Sequence, residues 1–306
     1  MSSQTAAAGS PAPGTHRSPT ALFTLAVVVL VLVIVVVLVI VKLVGSSTTS
    51  TPSNGPAPQA VPAGTLSEVT GVPASVFAAV GVSSPTVPVA RARSLTGQPL
   101  LADGKKPEVL YVGAEFCPYC AAERWALVVA LSRFGTLSGL GTMQASSSGA
   151  FSNVQTFTFA TATYKSRYIA FVPRERYSDQ QNSAGTAFSD FQKLDPAETS
   201  LFNHVDTTAR TGQPKGTLPF VDLANRYVSA GAAFSPAVLT GLSRNEIAAA
   251  LTDPKDPVTQ AIVASANELS AEICAIDGQQ PSSVCTSPGV AAASTPPASG
   301  PTPASP

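Results

Sequence analysis

Cys117 and Cys120, in the run Cys117-Pro118-Tyr119-Cys120, are the residues whose types and spacing most directly invite chemistry. Two thiols two residues apart can close or open a disulfide between them, and the reactive form is the thiolate. If a helix starts here, its unsatisfied N–H groups and positive end favour an anion at Cys117. Cys120, one turn on, lies on the same face and is the less exposed sulfur. Pro118 and Tyr119, between the sulfurs, are read as tuning the pair. An inert disulfide, or half of a metal site, is the plainer reading of the same spacing. The other two cysteines, Cys274 and Cys285, have ten residues between them. They read as a structural disulfide pinning the chain after the last helix, worth roughly 2–3 kcal/mol in the chain-entropy view. A relay pair exchanging with Cys117 and Cys120 is a second reading. A four-cysteine zinc site is a third, handicapped because zinc ligand pairs are usually spaced by two to four residues. His16 and His204 stand without a partner motif, and the sequence has no Gly-rich phosphate loop, nucleotide motif or Ser-His-Asp pattern. No metal and no cofactor is expected.

The flanking residues must position the pair. An apolar run at residues 109–112 precedes it and reads as a buried strand; Gly113-Ala114-Glu115-Phe116 turns the chain. Beyond Cys120, apolar residues Ala121, Ala122, Trp125, Val128, Val129 and Leu131 fit a helix. A strand feeding a Cys-x-x-Cys at a helix start is the context in which the motif reads as redox-active. Trp125 and Tyr111 are expected in the core. Arg124 is expected on a solvated helix face, with stabilisation of a thiolate as its alternative. Far downstream, Thr217-Leu218-Pro219 leads into the apolar run Phe220-Val221-Asp222. Pro219 is either an ordinary turn or edge-strand proline, or a cis-proline that turns the backbone of Thr217 and Leu218 toward the sulfurs for pairing with an extended substrate.

The segments GAEFCPYCAAERWALVVALSRFG and LPFVDLANRYV, with the late pair Cys274 and Cys285, resemble the thioredoxin superfamily and, within it, domain-of-unknown-function family 929. The Pro-Tyr dipeptide is like that of glutaredoxins and close to that of DsbA-type enzymes. The resemblance implies an α/β, thioredoxin-like fold, with Cys117 attacking, Cys120 resolving and Pro219 as the cis-proline facing them. The family name brings no settled activity. Between Cys120 and Pro219 lie 98 residues, more than a minimal thioredoxin fold needs, so an insertion is expected between the active-site helix and the cis-Pro strand, shaping access to the pair. Thioredoxins keep a buried Asp six residues before the first Cys; here that residue is Tyr111. This weakens the case for a reductase and leaves an oxidase or isomerase open. Glu115 matches a thioredoxin Glu and is expected nearer the surface.

The chain of 306 residues has zero formal net charge and 12% charged residues, which gives no electrostatic case for nucleic acid or for strong attraction to anionic membranes. Its ends are not globular. Residues 1–20 read as a disordered cytoplasmic tail rich in Ala, Ser, Pro and Gly. Residues 21–44 hold an unbroken apolar run, opening at Leu22 and closing at Val41, whose helix would span about 30 Å of hydrocarbon. The run is longer than the apolar core of a cleaved signal peptide. Arg17 and Lys42 nearly balance across it, so orientation rests on the cysteine pairs, which favour an oxidising compartment outside. Residues 45–65 read as a Ser/Thr/Pro-rich linker, 66–286 as the thioredoxin-like domain, and 287–306 as a disordered Pro/Ala/Ser tail.

Within the domain, a short helix is predicted with Pro73 in its first turn and Gly81 at its end, and a weak strand at residues 87–93. Residues 154–164 and 168–172 are predicted to form a hairpin. Pro196 opens a helix through Val205. Ala224-Asn225-Arg226 turns between two strands. Ser243 with Glu246 has capping-box spacing, and Asp256-Pro257 starts a long helix ended by Gly278. Two functions follow. One is a membrane-anchored, extracytoplasmic thiol–disulfide oxidoreductase acting on protein thiols or disulfides, recycled by a membrane or extracytoplasmic redox partner. The other is a non-catalytic binding or chaperone module with structural disulfides.

Overall fold

The structure, a computed structural model, describes residues 58–82 and 87–294. The apolar run at residues 22–41, the tail before it, most of the linker and the last twelve residues lie outside the described residues. Among the described residues no single helix is long and apolar enough to cross a membrane.

Helices α1 (Ala63–Thr70) and α2 (Ala74–Val80) lead into short strands β1 (Arg93–Ser94) and β2 (Ala102–Asp103). Strand β3 (Lys106–Ala114) then runs directly into helix α3 (Pro118–Leu131). Strands β4 (Gly135–Ser138), β5 (Gly141–Gln144), β6 (Gln155–Thr158), β7 (Thr163–Ser166), β8 (Ala170–Gln181) and β9 (Phe188–Asp190) follow, then helices α4 (Pro196–Val205) and α5 (Thr208–Thr211). The chain continues through β10 (Phe220–Leu223), β11 (Tyr227–Ala230), a 3-10 turn at Pro236–Leu239, and helices α6 (Arg244–Ala250), α7 (Pro257–Ile276), α8 (Ser282–Cys285) and α9 (Pro288–Ser294).

The fold is mixed α/β, built on a sheet in the order β1-β11-β10-β3-β8-β9 with β2 paired to one end of β3. Strand β3 is the centre: parallel to β8 on one edge and antiparallel to β10 on the other. Its alternating side chains supply two cores. Val109 and Tyr111 join the cluster containing α3 and α7, whereas Leu110 and Val112 pack with Phe202 and Val205 of α4 and Phe220 of β10. An apolar run buried on both faces is what a central strand between helices requires. The β10–β11 hairpin turns at Ala224 and Asn225, both at φ 56°, with the Asn225 N–H donating to Asp222 Oδ1 at 2.7 Å. Two consecutive left-handed residues match the twist of the flanking strands.

Helix caps follow the sequence closely. Asp195 and Ser243 form capping boxes with Glu198 and Glu246, and Asp256 Oδ1 accepts from the Val258 N–H at 2.7 Å ahead of Pro257. Pro73 caps α2, and Gly81, at φ 64°, ends it. Helix α7 is buried from Val258 to Cys274 except at Gln260, because α3 covers one side and α2 and α9 others.

Three expectations need correction. Residues 154–164 and 168–172 do not pair with each other: β6 pairs back onto β5, β7 onto β4, and β8 runs parallel to β3. Local alternation marks strands but not partners, and the free edge of the buried β3 takes the most apolar one, through Ala170-Phe171-Val172. Of residues 87–93 only Arg93 enters a ladder. The ordered domain is also longer than predicted at both ends. The Ala60 bridge to Gly141 and the start of α1 fall inside the supposed linker, and the supposed tail contains α9, with Val290 and Ala293 fully buried. Ala and Pro richness reads as disorder, but here small residues permit close approach. A Cβ on Gly289 would lie 2.5 Å from Asn267 Nδ2 and 2.6 Å from the Phe77 carbonyl oxygen. Asn267 itself donates to the carbonyls of Phe77 and Gly81, and Arg133 Nη1 donates to Asn267 Oδ1 and Ser270 Oγ.

Two predictions follow from this packing. Truncation after Ser287 removes the burial of Val290 and lowers unfolding free energy by about 2–3 kcal/mol, read in urea melts; an unchanged midpoint would contradict the packing. The second concerns buried carboxyls joining α3 and α7 to the chain beside them. Glu123 accepts from the Ala233 N–H at 2.9 Å, Glu268 meets Arg91 at 2.7 Å, and Glu272 accepts from the Ala92 N–H at 3.1 Å. Burial pushes Glu123 and Glu268 up to about 7; burial and the Glu268 charge push Glu272 up to about 8. The folded state therefore holds protons that the unfolded chain has released above pH 4–5, and stability falls as pH rises from about 5 to 8. Glu272→Gln, which keeps the acceptor and loses the charge, should flatten this slope and gain about 1 kcal/mol at pH 8.5. Stability that rises over this range would overturn the reading.

Candidate active site

Strand β3 ends at Ala114, and the chain reaches α3 with Cys117 as its N-cap and Pro118 in its first turn. Proline fits there because the first N–H groups have no helical partner. Both sulfurs are free thiols. Cys117 is 8% exposed and Cys120 fully buried, the order expected from their positions. The Cys117 Sγ accepts the backbone N–H of Cys120 at 3.2 Å. The Cys120 thiol hydrogen-bonded to it holds the Cys117 thiol below its usual range, helped by the N–H groups of Cys120 and Tyr119 and by the Arg124 charge, against the opposing effect of burial. Cys120 is pushed the other way, well up, chiefly by burial and then by Cys117.

The Leu218–Pro219 peptide is cis, and Pro219 leads into β10, which pairs with β3. The Leu218 carbonyl oxygen lies 4.0 Å from Cys117 Sγ, and the Leu218 side chain packs against the cluster of Ala114, Cys117 and Cys120. Thr217 is half-buried and held in a local turn: its N–H and Oγ1 both donate to the Pro214 carbonyl, at 3.2 and 2.7 Å. Buried Asp206 fixes the approach to this loop, accepting from the Gly216 N–H at 2.6 Å.

Aromatic rings frame the sulfurs. Phe116 stacks on Phe188 with centroids 3.8 Å apart and lies 6.3 Å from Tyr177, and Tyr119 meets Phe151 edge-on at 5.8 Å. Phe151, Tyr177 and Phe188 all belong to the stretch between Cys120 and Pro219, which supplies one side of the frame. The edge-on Tyr119–Phe151 contact is of the kind that fixes ring positions beyond what burial alone does.

A buried charged layer is joined to the pair through Ala114, which packs with both sulfurs. Arg124, fully buried, donates from Nε to Glu175 Oε1 at 2.9 Å, and from Nη2 to Glu175 Oε2 and the Ala114 carbonyl, both at 2.7 Å. Glu175, also fully buried, comes from β8. Glu115 accepts from Thr158 Oγ1 at 2.6 Å, and burial pushes its carboxyl up to about 7 despite that bond. Tyr111 packs in the core as predicted, edge-on to Phe159 at 5.2 Å, and its hydroxyl and Arg124 Nη1 are both buried without a hydrogen-bond partner. Trp125 is core, its indole N–H donating to the Gln155 carbonyl at 2.9 Å.

Two sequence expectations are corrected here. Arg124 is not on a solvated face, and Glu115 is not near the surface. The helix and strand alone leave both side chains uncovered, whereas β6 and β8, from the stretch between Cys120 and Pro219, cover them with Thr158 and Glu175. One local signal was present: Glu123 and Arg124 interrupt a helix that is otherwise apolar on every face, and all its residues from Cys120 to Leu131 are buried. Glu175 and Thr158 had no local signal.

Cys274 and Cys285 form a disulfide from α7 to α8, so the four-cysteine metal site is not formed. Among the described residues no group of three or more His, Cys, Asp or Glu is arranged to hold a metal ion. His204 is exposed on α4, 3.2 Å from Arg210 Nη2.

No curated protein and no solved structure matches the chain in the corresponding comparisons. A family model does: the one described as Domain of unknown function (DUF929) matches residues 95–275, more than half of the sequence and the whole stretch from the lead-in to β3 to the first disulfide cysteine, and the chain belongs to that family.

Proposed function

We propose that this protein is a thiol–disulfide oxidoreductase of thioredoxin-like architecture that acts on protein cysteines through Cys117 and Cys120. The observation that carries the reading is one cluster: a thiol at a helix N-cap that accepts the backbone N–H of Cys120 at 3.2 Å and lies 4.0 Å from the carbonyl that precedes a cis-proline. A strand–cysteine pair–helix unit beside a Leu-Pro strand is the combination expected of a thioredoxin-like site. The opposed shifts of the two thiols supply an attacking and a resolving sulfur.

In the reducing direction the Cys117 thiolate attacks one sulfur of a substrate disulfide. A Cys117–substrate S–S bond forms as the substrate bond breaks, and the departing sulfur leaves as a thiolate that takes a proton from water. Cys120 then loses its proton, its sulfur attacks Cys117 Sγ, and the second substrate sulfur leaves and takes up that proton. Two electrons pass to the substrate, and Cys117–Cys120 remains as a disulfide. The same steps in reverse oxidise a substrate dithiol. Thr217, Leu218 and Pro219 line the approach for an extended peptide, and Pro118 and Tyr119 set the spacing and cover of the sulfurs. The run at residues 22–41 would anchor the protein in the bilayer with this domain outside, where a membrane or extracytoplasmic redox partner recycles the pair.

A Cys120→Ser variant should accumulate mixed disulfides with other proteins, released by dithiothreitol and absent from Cys117→Ser. Adducts in neither variant, seen on non-reducing gels of membranes from expressing cells, would favour a binding module instead.

A further inference from the structure

We propose that Arg124 is the positioning residue that sets the reactivity of the dithiol, its buried cation favouring the Cys117 thiolate, while Glu175 limits how far it does so. This rests on the dithiol reading above and names the device that regulates that site. Arg124 follows Cys120 by four residues, so it lies one turn on along the same helical face. Its Nη2 grips the Ala114 carbonyl at 2.7 Å, and Ala114 belongs to the same packed cluster as both sulfurs. The guanidinium is fully buried, and its Nη1 has no hydrogen-bond partner. A charge without water around it acts strongly on its neighbours, because little screens it.

The groups facing this layer come from four elements: Tyr111 from β3, Glu115 from the loop after β3, Arg124 from α3 and Glu175 from β8. Tyr111 is neutral, held well up by burial, so it adds no charge. Glu115, pushed up to about 7, is largely uncharged at mildly acidic pH. At Cys117 the Cys120 hydrogen bond and burial act most strongly, and the Arg124 cation adds to the first; its ion-pair partner Glu175 is the anion that bears on Cys120. The cation favours the thiolate at both sulfurs, and the Glu175 charge opposes it at Cys120. Tyr111 occupies the strand position where the resemblance leads one to expect an acid, and the ionised acid instead comes from β8, already paired.

A merely structural ion pair and a tuning pair differ in the sign of their variants. The Cys117 pKa is measured by thiolate absorbance at 240 nm in the reduced protein, with Cys120→Ser as background and circular dichroism to show that each variant is folded. Arg124→Met combined with Glu175→Gln removes both charges and leaves no unpaired ion; it should raise the Cys117 pKa by about one unit, a tenfold loss of thiolate at neutral pH. Glu175→Gln alone keeps the cation and should lower it. Arg124→Lys should stay close to the parent. Shifts in the same direction for the single and double variants, or no shift in the double variant, would overturn the proposal. The pKa comparison decides the role of Arg124 whether or not the protein exchanges disulfides with substrates; failure of adduct trapping with these shifts intact would count against the oxidoreductase reading alone.

Discussion

A guanidinium inside a helix that is covered on every side has no water to turn to, and the structure around the dithiol is arranged by that fact. Arg124 finds Glu175 on β8 and the Ala114 carbonyl at the end of β3, so a single side chain ties the helix, the strand before it and the strand beside it. A buried pair of this kind is poor evidence for stability, since removing two charges from water costs about as much as their attraction returns. What it does give is a defined geometry: the turn from Ala114 to Cys117 cannot shift without breaking it.

The two edges of β3 then bring together parts of the site that are far apart in sequence. The antiparallel edge takes β10 and with it the Leu218 carbonyl; the parallel edge takes β8 and with it Glu175. Leu218 reaches the Cys117 N-cap of α3, and Glu175 reaches Arg124 seven residues further along the same helix. The long connection between Cys120 and Pro219 is therefore more than a cover. It supplies the counter-ion, the Thr158 hydroxyl on Glu115 and the aromatic residues Phe151, Tyr177 and Phe188.

Much of this was legible in the sequence wherever the signal is local. Caps at Ser243 and Asp256, the helix opened by Pro196, the Ala224-Asn225 turn, the buried strand at residues 109–112 and the cysteine helix all follow from short-range chemistry, and each lies where the sequence points. Strand partners did not follow. The alternation in Val154 to Phe159 marks an extended segment but cannot say that it pairs with β5, because register is decided by which buried edge is left free. The burial of Arg124 and Glu115 is illegible for the same reason: the covering residues, Glu175 and Thr158, lie 51 and 43 residues away. Helix α9 was missed because Ala and Pro richness is shared by flexible tails and by tightly packed helices, and the difference lies in what Asn267 and Phe77 offer on the other side.

The reduction potential of the Cys117–Cys120 pair tests the central claim most directly. It is read by equilibrating the purified protein with defined glutathione buffers and counting the disulfide by mass spectrometry. A reversible disulfide between these two residues, with a potential above about −300 mV, is the predicted result. A pair that never closes, or one that stays closed far below that value, would contradict it.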